Sequence, residues 1–339
     1  MRYRNEPAEK KDATERLGVL LVNLGTPDSP STADVRRYLR EFLSDPRVIE
    51  MPRPLWWPIL HGIILRIRPK RSAAAYRTIW TEQGSPLLYL SQRLAEGLQQ
   101  RLDAHSEAPA KVALAMRYGN PDIATGLETL HNAGAKRVLV LPLYPQYSAT
   151  TTASVFDAVT RELQHWRRIP ELRFVNQYPT EARYIDALAE SLRNHWQAHG
   201  EPERLLFSFH GLPKDYADAG DPYAHQCRET AVKVVDTLEL ENHRWALTYQ
   251  SRVGAKEWLK PYTDQTLKEW GAAGVKRVDV ICPGFATDCL ETLEEIAVEN
   301  RDYFLNAGGE VYHYIPALND SPAHIELLAD LVQRHTAGW

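Results

Sequence analysis

The sequence is poor in the residues that define several large classes of protein. It has three cysteines in 339 residues, Cys227, Cys282 and Cys289, and none of them belongs to a CxxC pair. Three cysteines cannot build a disulfide framework or supply the four ligands of an iron–sulfur cluster, so a reducing compartment is indicated. The net charge is −4, from 40 basic and 44 acidic residues. This balance gives no global electrostatic reason to bind nucleic acid.

Long hydrophobic runs are also absent. The best candidate, residues 55–65 (LWWPILHGIIL), is interrupted by Pro58 and His61 and falls short of the ~20 residues that span a bilayer. The run contains Trp56 and Trp57 and precedes the basic cluster Arg66–Arg71. This combination is typical either of a segment that lies on a membrane surface or of a core helix with a solvated basic end. The sequence leaves both interpretations open.

The amino-terminal residues lack the apolar core of a signal peptide. Residues 1–17 are polar and of mixed charge, which predicts a flexible tail on a cytoplasmic protein. The nucleotide and hydrolase motifs are missing as well. There is no GxGxxG after the first apolar run, no Walker lysine, no GxSxG and no HExxH. Nucleotide-dependent chemistry is therefore disfavoured.

What the sequence does contain is a regular alternation of short apolar runs and amphipathic stretches. This alternation predicts an α/β fold with mainly parallel strands and helices on both faces of each sheet. The eight predicted strands are 18–24, 111–118, 136–144, 172–178, 204–210, 244–250, 276–283 and 310–316.

An internal repeat divides the chain. Residues 126–145 resemble residues 266–285, and residues 174–195 pair more loosely with residues 311–335. We therefore predict two similar four-stranded α/β domains, 18–199 and 200–339. The first domain has a longer connection between its first two strands, and an insertion at about 45–85 is expected to overhang the carboxyl ends of the strands. Doubly wound sheets bind ligands at that edge.

Polar residues follow most of the predicted strands, which places them at one edge of each sheet. His210 follows the apolar strand LLFSF. An imidazole there is either a hydrogen-bonded structural residue or a base or metal ligand. On an α-helical wheel, five carboxylates after the seventh strand share one face. We predict Asp288 and Glu291 in the first helical turn beside a cleft, and Glu299 and Asp302 on a solvated face. The five are Asp288, Glu291, Glu295, Glu299 and Asp302.

Several long motifs in order resemble ferrochelatases of the bacterial type, from about Gly18 to His335. They are NLGTP with YLREFLSDPRVI, MRYGNP, LPLYPQYSATTT, SFHGLP, TYQSRVG with WLKP, and FATDCLETLEEI. The resemblance implies two Rossmann-like, class II chelatase-like domains without a nucleotide site. It also implies a lyase that inserts Fe2+ into protoporphyrin IX and releases two protons, the last step of haem synthesis.

The resemblance also implies roles for individual residues. His210 matches the family's active-site histidine, and Glu291 matches the helix glutamate opposite it; both are candidate metal ligands. Asp288 and Glu295 match acidic residues of a proton or metal pathway, with Asp288 also a candidate catalytic group. The residues expected near the macrocycle or its propionates are Arg117, Tyr118 and Trp258.

Three departures refine these expectations. Some family members hold a [2Fe–2S] cluster with C-terminal cysteines, but this chain ends LVQRHTAGW, so no cluster or other resident cofactor is expected. Cys289 stands where some members have histidine, and a buried thiol is expected there. Leu24 stands where relatives that use coproporphyrin have tyrosine, so protoporphyrin is the expected substrate. Trp56, Trp57 and the Arg66–Arg71 cluster are expected to form a lip that touches the membrane.

Two alternatives to this function remain at the level of sequence. A non-catalytic porphyrin or haem carrier would share a cleft and a basic lip. It would not need His210 and an acidic helix on opposite walls. A chelatase for another metal or another tetrapyrrole would share the whole site. An anaerobic insertion assay with Fe2+ and protoporphyrin separates the three.

Overall fold

The structure is a computed structural model, and it describes residue 3 and residues 16–105, 110–254 and 256–339. Most of the predicted tail, 1–17, lies outside these residues, but its last two residues, Arg16 and Leu17, already belong to the first strand. All eight predicted strands are present. Their bounds are β1 Arg16–Thr26, β2 Ala110–Gly119, β3 Ala135–Pro142, β4 Glu171–Phe174, β5 Arg204–His210, β6 Trp245–Gln250, β7 Arg277–Ile281 and β8 Val311–Ile315.

Helices connect these strands. In the described part of the chain the α-helices are α1 Thr32–Leu43, α2 Arg53–Ile59, α3 Leu65–Ile79, α4 Pro86–His105, α5 Ile123–Asn132, α6 Ser154–Leu163, α7 Ala182–His199, α8 Lys214–Asp218, α9 Tyr223–Leu238, α10 Thr263–Ala272, α11 Arg301–Asn306 and α12 Pro322–Thr336. Three segments form π-helical turns instead, Leu60–Ile64, Ala149–Ala153 and Glu291–Asn300.

The strands form two sheets with the same topology. The first has the order β2-β1-β3-β4 and the second the order β6-β5-β7-β8. Every neighbouring pair in both sheets is parallel. The repeated order confirms the predicted pair of four-stranded α/β sheets, and it explains why the sequence motifs recur in the same succession in the two halves.

The two compact units do not divide the chain where the sequence indicated. Of the described residues, those within 1–143, 149–176 and 325–339 form one unit, and those within 144–148 and 177–324 form the other. The predicted boundary at 199/200 therefore differs from the observed division, because α7 packs within the second unit. There Tyr184 donates its hydroxyl to the carbonyl of Pro283 at 2.5 Å. Most of α12 belongs to the first unit, where Arg101 pairs with Glu326 at 3.0 Å.

The first unit is built around β1. Val19, Leu20, Leu21 and Val22 have no exposed surface, as expected for a central parallel strand covered on both faces. The strand ends in a close approach to β2. Gly25 has φ +116°, and a Cβ there would lie 1.7 Å from the carbonyl oxygen of Tyr118. No other residue type fits that position, so the glycine of NLGTP is required by the backbone itself.

The second unit is built around β5 and β7. Leu206, Val278 and Val280 are fully buried and pack in one core cluster with Ile296 and Phe304. Ile296 belongs to the π-helical segment after β7, so this core anchors one side of that segment. Glu291 and Glu295 belong to the same segment.

The insertion of the first unit is helical and differs from the predicted lip. Trp56 is buried, and its indole N–H donates to the carbonyl of Leu43 at 2.7 Å. Trp57 is 47% exposed and lies against His61, with ring centroids 4.3 Å apart. The prediction that both tryptophans form an exposed lip is therefore wrong for Trp56, because adjacent helical residues point in different directions. Among the described residues, no helix is long and apolar enough to span a bilayer.

Candidate active site

His210 is the last residue of β5 and is exposed, while the five residues before it are buried. Its Nδ1 lies 2.7 Å from the carbonyl oxygen of Gly211. A carbonyl only accepts, so Nδ1 must carry the hydrogen. The neutral ring therefore keeps its lone pair on Nε2. The strand end thus presents an imidazole whose tautomer is set by its own backbone.

The loop that follows His210 is held by the segment around Trp258. Pro213 and Trp258 form an antiparallel bridge, and the amide of Leu259 donates to Leu212 at 2.9 Å. A Cβ on Gly211 would lie 2.6 Å from the carbonyl oxygen of Gln250 and 3.1 Å from the Trp258 ring. The glycine of SFHGLP therefore lets the loop pass between β6 and the indole. Trp258 lies beside His210 in the fold through this loop.

The acidic segment after β7 is a π-helix over Glu291–Asn300 rather than an α-helix. Its i→i+5 hydrogen bonds change the angle between successive side chains, so the predicted α-helical stripe does not apply. Asp288 precedes the helix instead of lying in its first turn. Glu299 and Asp302 are exposed, and Asp302 pairs with Arg301 at 2.8 Å, which agrees with a solvated position for both.

Glu295 is held by one residue of the β6 loop. The amide of Ser251 donates to Glu295 Oε1 at 2.7 Å, and the Ser251 hydroxyl donates to Oε2. Ser251 has φ 65°, in the left-handed region that non-glycine residues rarely adopt. The strained backbone aims both donors at one carboxylate. Such strain is frequent at functional sites.

The environment of Glu295 combines burial with compensating partners. Burial raises the pKa of Glu295, while the Ser251 hydrogen bonds and the positive charge of His210 lower it, and Glu291 raises it further. The net pKa lies above the usual value for glutamate. A carboxyl group in this state exchanges protons closer to neutral pH than a solvated one. His210, Glu295 and Glu291 therefore form an electrostatically linked group in the second unit.

Gln250 connects this group to the sheet. Its Nε2 donates to the carbonyl oxygen of Glu291 at 3.1 Å, and its Oε1 accepts from Ser208 at 2.7 Å. Gln250 is also the register partner of His210. The start of the π-helix and the end of β5 are thus tied to the same residue of β6. This arrangement fixes the carboxylates relative to the imidazole.

Asp288 lies in a different environment from Glu291 and Glu295. It is 5% exposed and accepts four hydrogen bonds. The donors are the Tyr314 hydroxyl at 2.5 Å, the Asn319 amide at 2.8 Å, the Thr292 hydroxyl at 3.0 Å and the Ala317 backbone at 3.3 Å. A buried carboxylate that accepts four hydrogen bonds is held in one orientation by its donors. These contacts suit Asp288 to positioning the helix start.

Arg117 and Tyr118 form a cluster inside the first unit. The Tyr118 hydroxyl donates to Asp45 at 2.8 Å, and Arg117 pairs with Asp45 and donates to Ser154 Oγ at 2.6 Å. Although burial opposes it, hydrogen bonds from Ser154 and the Arg47 amide, with the charge of Arg117, lower the pKa of Asp45. The polar groups of Arg117 and Tyr118 are therefore engaged within their own unit. Their expected place near the macrocycle or its propionates stays a prediction.

Leu24 lies near the carboxyl end of β1 and is half-buried, whereas the preceding Asn23 is buried. Asn23 turns its side chain to Ser91, with Nδ2 donating to the hydroxyl at 3.0 Å. Its Oδ1 accepts from the amide of Leu24 at 2.8 Å. The asparagine thereby fixes the strand end and leaves part of the Leu24 side chain on the surface of the unit.

Comparison with known proteins agrees with the motifs and the fold. The Ferrochelatase family profile matches residues 16–336. The chain belongs to the ferrochelatase family. It is 56% identical to the ferrochelatase of Thioalkalivibrio sulfidiphilus, covering 100% of this chain and 92% of the relative. It is 58% identical to that of Methylococcus capsulatus, covering 95% of this chain and 97% of the relative.

Solved structures of other chelatases share the fold of this ferrochelatase family member. SirB from Bacillus subtilis with Fe3+ matches with a TM-score of 0.56 and 12% identity, over 95% of this chain and 96% of that one. CbiX, described as the terminal enzyme for siroheme biosynthesis in denitrifying bacteria, matches with a TM-score of 0.52 and 14% identity, over 94% of this chain and 100% of that one. At these identities the likeness concerns the fold alone, and it confirms the predicted class II chelatase-like architecture.

Proposed function

We propose that this protein is a lyase that inserts Fe2+ into protoporphyrin IX to form protohaem and two protons, the final step of haem biosynthesis. Membership of the ferrochelatase family supports this function. The observation that carries it is the arrangement at the end of β5, where Gln250 pairs with His210 and also holds the π-helix of Glu291 and Glu295 through the Glu291 carbonyl. Metalation requires groups that can receive two pyrrole protons and replace water around Fe2+.

His210 is the proposed proton acceptor or iron ligand. Its Nδ1–H is held by the Gly211 carbonyl, so Nε2 is the nitrogen with an available lone pair. Glu291 and Glu295 are the proposed receivers of protons from the imidazole, since Glu295 has a raised pKa and is electrostatically linked to both neighbours. Asp288 is proposed to position the helix start, and Trp258 to border the bound macrocycle beside His210.

An anaerobic insertion assay tests this function directly. Purified protein is mixed with Fe2+ and protoporphyrin IX without oxygen, and the conversion of the porphyrin spectrum to that of haem is followed. We expect catalytic turnover with many haem molecules formed per protein. Tight porphyrin binding without turnover would favour the alternative of a porphyrin or haem carrier. Turnover only with another metal or another tetrapyrrole would favour the second alternative.

The proposed substrate is protoporphyrin rather than coproporphyrin. Leu24 keeps part of its apolar side chain exposed at the end of β1. Protoporphyrin has vinyl groups where coproporphyrin has two more propionates. An apolar wall disfavours the additional carboxylates, because a charge taken out of water without a partner is costly.

A peripheral membrane contact is part of the proposal. Leu55, Trp57, Ile63 and Ile67 are exposed on the helical insertion of the first unit; we call them the apolar face. Arg66, Lys70 and Arg71 are exposed in the same segment. Exposed aromatic and aliphatic side chains next to basic ones favour the interface of anionic lipid. The porphyrin itself partitions into lipid. A contact with the inner face of the membrane would therefore bring this cytoplasmic enzyme and its substrate together.

We propose that the protein carries no resident iron–sulfur cluster. Cys227, Cys282 and Cys289 are buried and unbridged, and burial raises the pKa of each thiol well above its usual value. Thiolates, not thiols, ligate iron. Acid-labile sulfide analysis of protein purified without oxygen is expected to give none, and one equivalent or more of sulfide would contradict this.

A further inference from the structure

A second group of metal-ligating side chains lies in the second unit, away from His210. Asp279 of β7 and His313 of β8 are register partners, so their side chains lie on the same face of the sheet. His195 of α7 completes the group. The ligand atoms of these three residues all lie within 4.8 Å of one another. Among the described residues this is the one such group of three or more.

The distances within the group suit a shared ion. Asp279 Oδ1 is 3.1 Å from His313 Nδ1, and Asp279 Oδ2 is 3.7 Å from His195 Nε2. Ligands around a tetrahedral Zn2+ are about 3.3 Å apart when Zn–N and Zn–O are near 2.0–2.1 Å. The two observed separations, each to a different carboxylate oxygen of Asp279, lie on either side of that value. With all three ligand atoms within 4.8 Å of one another, the group has the size of a metal site.

One ligand atom of the group has no other use in the described structure. His195 Nε2 is buried and has no hydrogen-bond partner among the described residues, and 3.7 Å to Asp279 is too long for a hydrogen bond. A buried polar atom without a partner is costly and calls for an explanation such as an ion.

The surroundings add a third histidine ring and a supporting donor. His199 follows His195 by one helical turn, and its ring centroid is 4.6 Å from that of His195 and 5.3 Å from that of His313. The Trp196 indole donates to Asp279 Oδ2 at 3.0 Å, as residues behind metal ligands commonly do. The nearest competing cation is Arg277, whose Nε is 4.0 Å from Asp279.

We propose that His195, Asp279 and His313, with His199 as the fourth ligand, bind a divalent transition metal ion of the Zn2+ type. Three imidazoles and one carboxylate are the ligands that Zn2+, Co2+ and Ni2+ accept in tetrahedral sites. The site is separate from the proposed catalytic group. Asp279 pairs with Leu205 of β5, five residues before His210, which at ~3.3 Å per residue is about 16 Å along the strand.

The test isolates this site from the catalytic one. Metal-free His210→Ala protein is titrated with Zn2+ by calorimetry, and with Co2+ by its visible absorption, which reports coordination geometry. We expect one equivalent of tetrahedral metal to bind. Adding His195→Gln or His199→Ala is expected to weaken binding ~100-fold or more, because even residues that only support a ligand contribute ~10–100-fold. Because His199 is exposed, its replacement leaves the fold intact.

His225→Ala is the matched control. His225 lies one turn before Glu229 on α9, with its Nε2 3.6 Å from Glu229 Oε1, and its side chain is 75% exposed. It is therefore an exposed histidine next to a carboxylate but outside the proposed metal site. Its replacement is expected to leave Zn2+ affinity unchanged. Equal affinities in the His195, His199 and His225 variants would overturn the proposal, and so would the absence of any bound equivalent in the His210→Ala protein. Neither outcome bears on the insertion activity at His210.

Discussion

Ser251 donates two hydrogen bonds to Glu295, one from its backbone amide at 2.7 Å and one from its hydroxyl. It does so from a left-handed backbone conformation, φ 65°. Both bonds favour the ionised carboxylate and oppose the effect of burial on its pKa. Ser251 is thus a positioning residue for the acidic segment.

Ser251→Ala is expected to raise the pKa of Glu295 further, because one hydrogen bond to the charged form is lost. If Glu295 receives a proton during turnover, it must be ionised beforehand, so the acidic limb of the kcat–pH profile moves to higher pH. At pH values on that limb, the kcat of the variant is expected to be about tenfold below that of the unmodified protein, because the lost hydrogen bond is worth ~1.5 kcal/mol. KM is expected to change little. In a Glu295→Gln background the same substitution should move nothing. A shift that persists there would remove Ser251 from this role.

His210→Ala is expected to lower kcat by ~10²–10⁴-fold, the usual contribution of a general base. Porphyrin affinity, measured by quenching of porphyrin fluorescence, is expected to stay near that of the unmodified protein. The exposed position of His210 at the end of β5 means that its removal costs little stability. Near-normal turnover by the variant would exclude His210 from the mechanism.

Glu291→Gln and Glu299→Gln form a matched pair on the same π-helix. Glu291 is half-buried next to the Glu295 carboxylate, while Glu299 is exposed. We expect Glu291→Gln to reduce kcat by ~10²-fold, since an amide cannot exchange the proton, and Glu299→Gln to stay within twofold. Equal losses in the two variants would contradict a division of the acidic residues into functional and solvated members.

The sequence was sufficient to predict the two sheets but not the form of the acidic helix. Continuous apolar runs such as Val19–Val22 indicate buried parallel strands whatever their neighbours are, and the internal repeat implies that both sheets share one strand order. The π-helix at Glu291–Asn300 leaves no comparable trace, because the choice between i→i+4 and i→i+5 hydrogen bonds depends on packing around Ile296. Asp288 was assigned to the helix for that reason.

Ser251 illustrates a second limit of prediction from the sequence. The segment Gln250-Ser251-Arg252 is recognisable as polar residues after a strand, yet nothing in its composition indicates a left-handed serine. The contact with Glu295 joins residues 44 positions apart, and only the folded chain brings them together. Arg117 and Tyr118 show the same limit. Their motif is clear in the sequence, but their partner Asp45, 72 positions before Arg117, is not.

Substitutions at Trp56 and Trp57 are expected to have different effects, the first on stability and the second on membrane contact. Trp56→Ala removes a buried indole and its hydrogen bond to Leu43, which costs ~3–5 kcal/mol and lowers Tm by about 10 °C. Trp57→Ala removes an exposed ring, so Tm stays unchanged while sedimentation with anionic vesicles decreases. Scanning calorimetry and vesicle sedimentation measure the two effects. Undiminished vesicle binding by Trp57→Ala, or none by the unmodified protein in low salt, would count against the apolar face.

Leu24 is expected to contribute to the choice of porphyrin. Its partly exposed side chain ends β1, and the Asn23 hydrogen bonds to Ser91 and to the Leu24 amide hold the backbone in place. A substitution at Leu24 therefore changes the surface without moving the strand. Leu24→Tyr adds a hydroxyl, which can donate to one of the extra propionates of coproporphyrin.

We expect the unmodified protein to have a higher kcat/KM for protoporphyrin IX than for coproporphyrin III. Leu24→Tyr is expected to lower the ratio of these two kcat/KM values about tenfold, because one hydrogen bond to a charged group is worth about that factor. Side-by-side anaerobic kinetics with both porphyrins measure this ratio. Leu24→Met is the control, because it keeps the wall apolar at similar volume and should leave the ratio unchanged. An equal or reversed preference in the unmodified protein would refute protoporphyrin as the preferred substrate. It would leave the proposed metalation untouched, since the role proposed for His210 concerns the pyrrole nitrogens, which the two porphyrins share.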